Sequence, residues 1–147
     1  RKGANAVILG AGGAAAAAAY ALRSLGMEVT VLNRTVQRAE DLALRFGCRS
    51  GSPDDLGRIS PDVIVQTTPV GMAPDDPSLV NRNHLVAGMT VFDLVYTPPE
   101  TRLIRDARAA GCEAITGTEL FIRQAREQFR LFTGIDAPLE KIREMVS

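Results

Sequence analysis

Two stretches of this sequence carry residue types that could do chemistry together. A short apolar run, Asn5-Ala6-Val7-Ile8-Leu9, leads straight into Gly10-Ala11-Gly12-Gly13-Ala14-Ala15. A second run, Glu28 to Leu32, ends on Asn33-Arg34-Thr35, with Arg38 one helical turn further on. The first stretch is a Gly-x-Gly-x-x-Ala turn between a strand and a helix. Gly10 allows the tight turn, Gly12 lets backbone N–H groups approach a pyrophosphate at the helix N-terminus, and Ala15 permits close helix–strand contact. Asn33 lies 21 positions beyond Gly12, close to the spacing of the residue that reads a dinucleotide's ribose. A carboxylate at that point would repel a 2′-phosphate, whereas Arg34 and Arg38 can pair with one through charge-assisted hydrogen bonds. Taken singly, the turn also fits an ordinary cap on an Ala-rich helix, and the arginines fit solvated charges. In this order and at this spacing they predict a cofactor site for NADP rather than NAD.

Composition narrows the class. The 147 residues suffice for one domain with its own core. Lys plus Arg and Asp plus Glu each number 17, so no charge surplus favours nucleic acid or an anionic membrane. The hydrophobic share of 46% with 23% charged residues is ordinary for a soluble globular domain. Cys48 and Cys112 lie far apart, outside any CxxC or Cys/His cluster, and are expected to be reduced thiols of a cytoplasmic protein. His84 is the sole histidine and is expected to be a solvated loop residue, so no metal site is expected. Residues 3–22 lack charge and mimic a leader peptide, but the central glycine turn and the low transfer energy of alanine argue against export or insertion. The chain does not begin with Met, which suggests a piece of a longer polypeptide.

Around these residues, short β-branched runs alternate with helical patterns, the signature of βαβ units. Strands are predicted at 5–9, 28–33, 62–68, 90–95 and 113–115, with a further short strand near Cys48 and a helical turn near Asp54–Leu56. Helices are predicted at about 13–25, 36–46, 99–111 (started by Pro99), 118–132 and 137–146, and a loop over 73–88. In the helix at 118–132 the apolar stripe is Phe121, Ala125, Phe129 and Phe132, and Thr116 and Glu119 have capping-box spacing. The expected fold is α/β: a Rossmann-type, doubly wound, mostly parallel sheet of about six strands with helices on both faces, forming a single domain over 1–147.

The combination of GAGGA, NRTVQRAEDLA, TTPVGM, DLVYTPPETRLI and ELFIRQAREQFRLFTGIDAP resembles the C-terminal, NADP-binding domain of shikimate dehydrogenase across nearly the whole chain. The tail is most similar to the dehydrogenase half of bifunctional dehydroquinate dehydratase–shikimate dehydrogenases. The resemblance implies hydride transfer between NADPH and the ring ketone of 3-dehydroshikimate, giving shikimate. It implies that Gly10, Ala11, Gly12, Gly13 and Ala14 hold the pyrophosphate, and that Asn33, Arg34, Thr35 and Arg38 hold the 2′-phosphate. Thr68, Leu94 and Gly117 would line the nicotinamide end, with Tyr96 and Gln124 directed at the bound cyclohexene acid.

Three departures accompany the likeness. Gln66 stands where the family usually has Asn before the TTPVGM loop, so the anchoring of that loop could differ. Glu119 replaces a common glycine near the nicotinamide. The family's catalytic Lys and Asp lie on an N-terminal domain that these residues do not include, and the only lysines here, Lys2 and Lys141, are at the two ends. No catalytic residue is therefore assigned, and the missing N-terminal domain of the same chain is the expected partner. Competing readings are a quinate-preferring relative, the nucleotide domain of glutamyl-tRNA reductase, and a non-catalytic regulatory relative. DLVYTPPET, the Gln124 helix and the lack of a basic surplus speak against the second; the intact glycine turn and arginines speak against the third.

Overall fold

The computed structural model describes residues 2–73 and 75–146. Arg1, Ser147 and Pro74, which falls in the loop expected over 73–88, lie outside the described residues. The strands are β1 (Asn5–Leu9), β2 (Glu28–Leu32), β3 (Arg49–Gly51), β4 (Val63–Gln66), β5 (Thr90–Asp93) and β6 (Glu113–Ile115). The helices are α1 (Gly13–Ser24), α2 (Val36–Phe46), α3 (Arg102–Ala109), α4 (Gly117–Thr133) and α5 (Leu139–Val146), with 3-10 turns at Pro53–Arg58 and Arg82–His84. All six strands pair in parallel, in the order β3-β2-β1-β4-β5-β6. The Rossmann-type α/β architecture expected from the sequence is thus present.

Alternation along β1 divides the core in two. Ala6 and Ile8 pack with Val29, Val31 and Val65 against Ala15 and Ala19 of α1 and Ala39 and Leu42 of α2. Val7 and Leu9 point the other way and pack with Ile64 and Val91 against Leu103 and Ala107 of α3. A parallel sheet covered on both faces needs apolar residues at every position of its central strands, which explains the unbroken run Ala6-Val7-Ile8-Leu9. Ala15 and Ala19 are wholly buried, so α1 reaches the sheet through methyl groups and sits close to it.

Several boundaries differ from the sequence reading, each for a local reason. β4 stops at Gln66 rather than Thr68, and β5 at Asp93 rather than Val95, because both side chains fold onto the backbone just beyond them. α3 begins at Arg102, not Pro99: the Thr101 hydroxyl accepts a hydrogen bond from the Ile104 N–H and caps the helix there. His84 is not a solvated loop residue. It is partly buried in its 3-10 turn, and its Nδ1 is buried without a hydrogen-bond partner among the described residues.

The apolar stripe of α4 lies largely exposed. Phe121, Phe129 and Phe132 are exposed, while Gly117 and Ile122 are buried. α5 folds back on α4, held by Arg143–Glu119 at 2.8 Å and by the Arg126–Asp136 pair. Ile122→Ala is expected to cost about 2–5 kcal/mol, as large-to-small core changes do. Phe132→Glu should stay within about 0.5 kcal/mol. Denaturant unfolding of both variants checks which face of α4 the fold relies on.

Candidate functional site

The chain passes from β1 into α1 at the point where the connections of the sheet diverge, since β2 flanks β1 on one side and β4 on the other. Three strand ends meet there. The Gly10 N–H donates to the Leu32 carbonyl at 2.8 Å, and the Thr67 N–H and hydroxyl both donate to the Leu9 carbonyl, at 2.9 and 2.7 Å. Gly10 has φ +110°, and a Cβ there would sit 2.6 Å from Thr67 Oγ1. Both its conformation and its neighbour therefore require glycine.

Beyond Gly10 the turn opens to solvent. Gly12, Gly13 and Ala14 are exposed, and a Cβ built on Gly12 or Gly13 would meet nothing within 4 Å. Gly12 occupies the N-cap of α1 and supplies no side chain to it, and no acidic residue lies in the first helical turn. Open backbone, free first-turn N–H groups and the positive end of a helix dipole together fit a phosphate group. The turn also joins two clefts. Ala11 lines one of about 290 Å³ with Arg38, Asp41, Leu42 and Arg45. Ala14 lines another of about 450 Å³ with Thr68, Leu94, Tyr96, Gly117 and Gln124.

On the first side, Asn33 follows β2 and its amide donates to the Thr35 carbonyl at 2.8 Å, fixing the start of α2. Arg34 and Arg38 are exposed, and among the described residues neither guanidinium makes a hydrogen bond or ion pair. An unpaired cation in the cleft beside an open helix N-terminus, Arg38, can hold a phosphate without first breaking a bond, and Arg34 at the strand end is equally unpaired. On the second side, Tyr96 stacks on Phe121, with ring centroids 5.5 Å apart and planes at 19°. Gly117 is buried against the Leu94 and Val95 carbonyls, so closely that a Cβ would collide with both oxygens. Tyr96 is the one titratable side chain lining this cleft among the described residues.

The structure thus brings the sequence-predicted residues to one edge of the sheet, with the glycine turn between Arg38 and the group Thr68, Leu94, Tyr96, Gly117 and Gln124. Arg34 sits at the strand end and lines neither cleft. Sequence reasoning gave no role to Asp93 or Thr101. Asp93 is 1% exposed, accepting from the Val95 N–H and the Thr101 hydroxyl; burial raises its carboxyl above the usual range, and those two donors pull it back. The signal was there: an ionisable residue inside the apolar run Val91-Phe92-Asp93-Leu94-Val95. A larger cleft, about 580 Å³, lies at the opposite end of the sheet, lined by residues 59–62 and 86–89 with His84. It brings together no arginine or lysine and no helix N-terminus, and parallel sheets bind ligands at the other end. No group of three or more His, Cys, Asp and Glu side chains placed to hold a metal occurs among the described residues. No described helix is long and apolar enough to cross a membrane.

Comparison with known proteins gives consistent matches. The family model for shikimate / quinate 5-dehydrogenase matches residues 1–68, and that for the shikimate 5′-dehydrogenase C-terminal domain matches residues 117–146. A shikimate dehydrogenase (NADP(+)) of Methanosarcina mazei is 41% identical over 99% of this chain and 55% of its own length. The Thermus thermophilus shikimate 5-dehydrogenase, solved with NADP(H) and shikimate, superposes with a TM-score of 0.86 at 37% identity, over 96% of this chain and 53% of that one. Quinate dehydrogenase from Corynebacterium glutamicum, solved with NAD, gives 0.87 at 35% identity, over 97% and 54%. The chain spans about half the length of the curated relatives it matches.

The close approach at Gly117 is directly testable. Gly117→Ala must push α4 away from the Leu94 and Val95 carbonyls, and overpacking of this kind costs about 1–3 kcal/mol. Thermal or denaturant unfolding should register that loss, and unchanged stability would mean that α4 is not seated against β5 as described.

Proposed function

The chain belongs to the shikimate dehydrogenase family, and we propose on that footing that it is the NADP(H)-binding half of a cytoplasmic enzyme that interconverts 3-dehydroshikimate and shikimate. The observation that carries this reading is an open glycine turn with the unpartnered Arg38 in the cleft on one side of it, Arg34 unpartnered at the neighbouring strand end, and an aromatic- and amide-lined cleft on the other side. When bound, NADPH supplies the hydride that reduces a ring ketone. The Gly10–Ala14 turn holds the pyrophosphate, Gly10 by making the bend while its own N–H stays on Leu32, and Ala11 to Ala14 by presenting backbone N–H groups. Arg34, Arg38, Asn33 and Thr35 hold the 2′-phosphate. Thr68, Leu94 and Gly117 form the nicotinamide end. The Tyr96 hydroxyl and the Gln124 amide orient the hydroxyl and carboxylate groups of the cyclohexene acid without competing for the hydride.

Single-domain organisation over 1–147 belongs to the same proposal, with the proton donor on a further domain of the complete polypeptide. Lys2 packs beside Gly26 and Lys141 is exposed on α5, so neither lines the cleft. The exposed faces of Phe121, Phe129 and Phe132 suit the contact with that domain. Two free thiols suit a reducing compartment. Quinate remains the nearest alternative substrate, consistent with the name of the family model over 1–68.

Titrating NADP⁺ and NAD⁺ into Arg34→Ala, Arg38→Ala and the double variant tests the cofactor reading. Each substitution should weaken NADP⁺ binding about ten-fold, the size of one hydrogen bond to a charged group at an exposed site. NAD⁺ affinity should stay where it is, and the NADP⁺ term should shrink with added salt. Equal losses for both cofactors would assign the arginines to the fold or to the pyrophosphate. No loss for either would return them to solvated surface charge.

A further inference from the structure

Gln66 and Asp93 end neighbouring strands and stand opposite one another in the β4–β5 register. They are 2% and 1% exposed, and neither lines the cleft of about 450 Å³. Each is turned onto the loop that follows its own strand. Gln66 Oε1 accepts from the Thr68 N–H at 2.8 Å, while Nε2 donates to the Val70 carbonyl at 2.8 Å and to the Thr68 carbonyl at 3.3 Å. Asp93 Oδ1 accepts from the Val95 N–H at 3.1 Å, and Oδ2 from the Thr101 hydroxyl at 2.7 Å. Thr101 in turn caps α3 through the Ile104 N–H at 3.2 Å.

The loops held in this way are the two walls of that cleft, Thr67–Pro69 on one side and Leu94–Thr97 on the other. A polar pair inside an apolar sheet core adds little stability compared with well-packed apolar residues, and it becomes costly if any partner is lost. Here every side-chain bond of the pair goes to a loop that carries a cleft wall or to the cap of the helix behind it. The Gln66 amide spans Thr68 and Val70 together, its oxygen on one and its nitrogen on the other. We propose that Gln66 and Asp93 are positioning residues that set the spacing of the two walls for the nicotinamide ring. The proposal rests on the NADP(H) reading above. Both act through the backbone they hold, so their effect falls chiefly on the nicotinamide end and not on Arg34 and Arg38, while Thr67 keeps its own bonds to Leu9 at the glycine turn.

The test compares NADPH with 2′-phospho-ADP-ribose, which lacks only the nicotinamide ring, on wild-type protein, Gln66→Leu, Asp93→Ala and Asp93→Asn, with thermal unfolding in parallel. Gln66→Leu and Asp93→Ala should lower NADPH affinity about ten-fold and leave the ring-less analogue within about two-fold. Asp93→Asn keeps an acceptor for Val95 and a hydrogen-bonding group for Thr101, and should restore most of the NADPH affinity. If Gln66→Leu does not fold, Gln66→Met gives the same reading, because it keeps the length of the side chain and removes both hydrogen-bonding groups. Parallel losses for the two ligands would make these residues merely structural and overturn the proposal. So would no loss for either, or wild-type protein that binds both ligands equally. Wild-type protein that binds neither overturns the NADP(H) reading, and this inference with it.

Discussion

At Gly10 three strand ends come closer than any side chain would allow. The Gly10 N–H bonds to the end of β2, the Thr67 backbone and hydroxyl bond to the end of β1, and the space where a Cβ would stand is occupied by Thr67 Oγ1. This contact lets the chain leave β1 in a left-handed turn and enter α1 within three residues. It also fixes the loop after β4 beside the helix N-terminus. Without it the glycine turn would still be a turn, but it would not connect the arginine side of the edge to the aromatic side. The close packing of Ala15 and Ala19 under α1 serves the same end, keeping the helix near enough to the sheet for its first N–H groups to face the edge.

A parallel sheet sends every strand's C-terminal end to one edge, and there the backbone groups beyond the last pair need partners. Three devices supply them. Thr67 reaches back to Leu9, and Gln66 and Asp93 each reach forward to their own loops. All three side chains are polar, and two are fully inside the core, where burial alone is unfavourable and raises the Asp93 carboxyl. The stability of the domain rests on the two apolar layers to either side, while the polar strand ends determine the shape of the cleft.

This division explains what was legible in the sequence. The apolar runs and the Gly-x-Gly-x-x-Ala turn report directly on strands and on one sharp bend, so six strands and the position of the glycine turn could be read from residue types alone. The proposed cofactor role of Arg34 and Arg38 rests on distance along the chain, because a strand–helix–strand unit has a nearly fixed length. The strand ends could not be read in this way. Thr68 and Val95 look like continuing strand, and only the reach of the Gln66 and Asp93 side chains ends the pairing early. Thr101 outcompeted Pro99 as the start of α3 for a similar reason: its hydroxyl caps the helix while also holding Asp93. The phenylalanine stripe of α4 was legible as an apolar face, but periodicity shows only that a face is apolar, not what covers it. His84 misled because polar neighbours in sequence are not neighbours in space.

Isotope-labelled protein titrated with NADP⁺, followed through its backbone amide signals, gives the most direct test of where the cofactor lies. The geometry predicts the largest shifts at Gly12 to Ala15 and at Arg34 and Thr35, with a second group at Thr68, Leu94 and Gly117. Residues 59–62 and 86–89, at the far end of the sheet, should stay still. Shifts centred on that far cleft and on His84, with the glycine turn unmoved, would contradict the account.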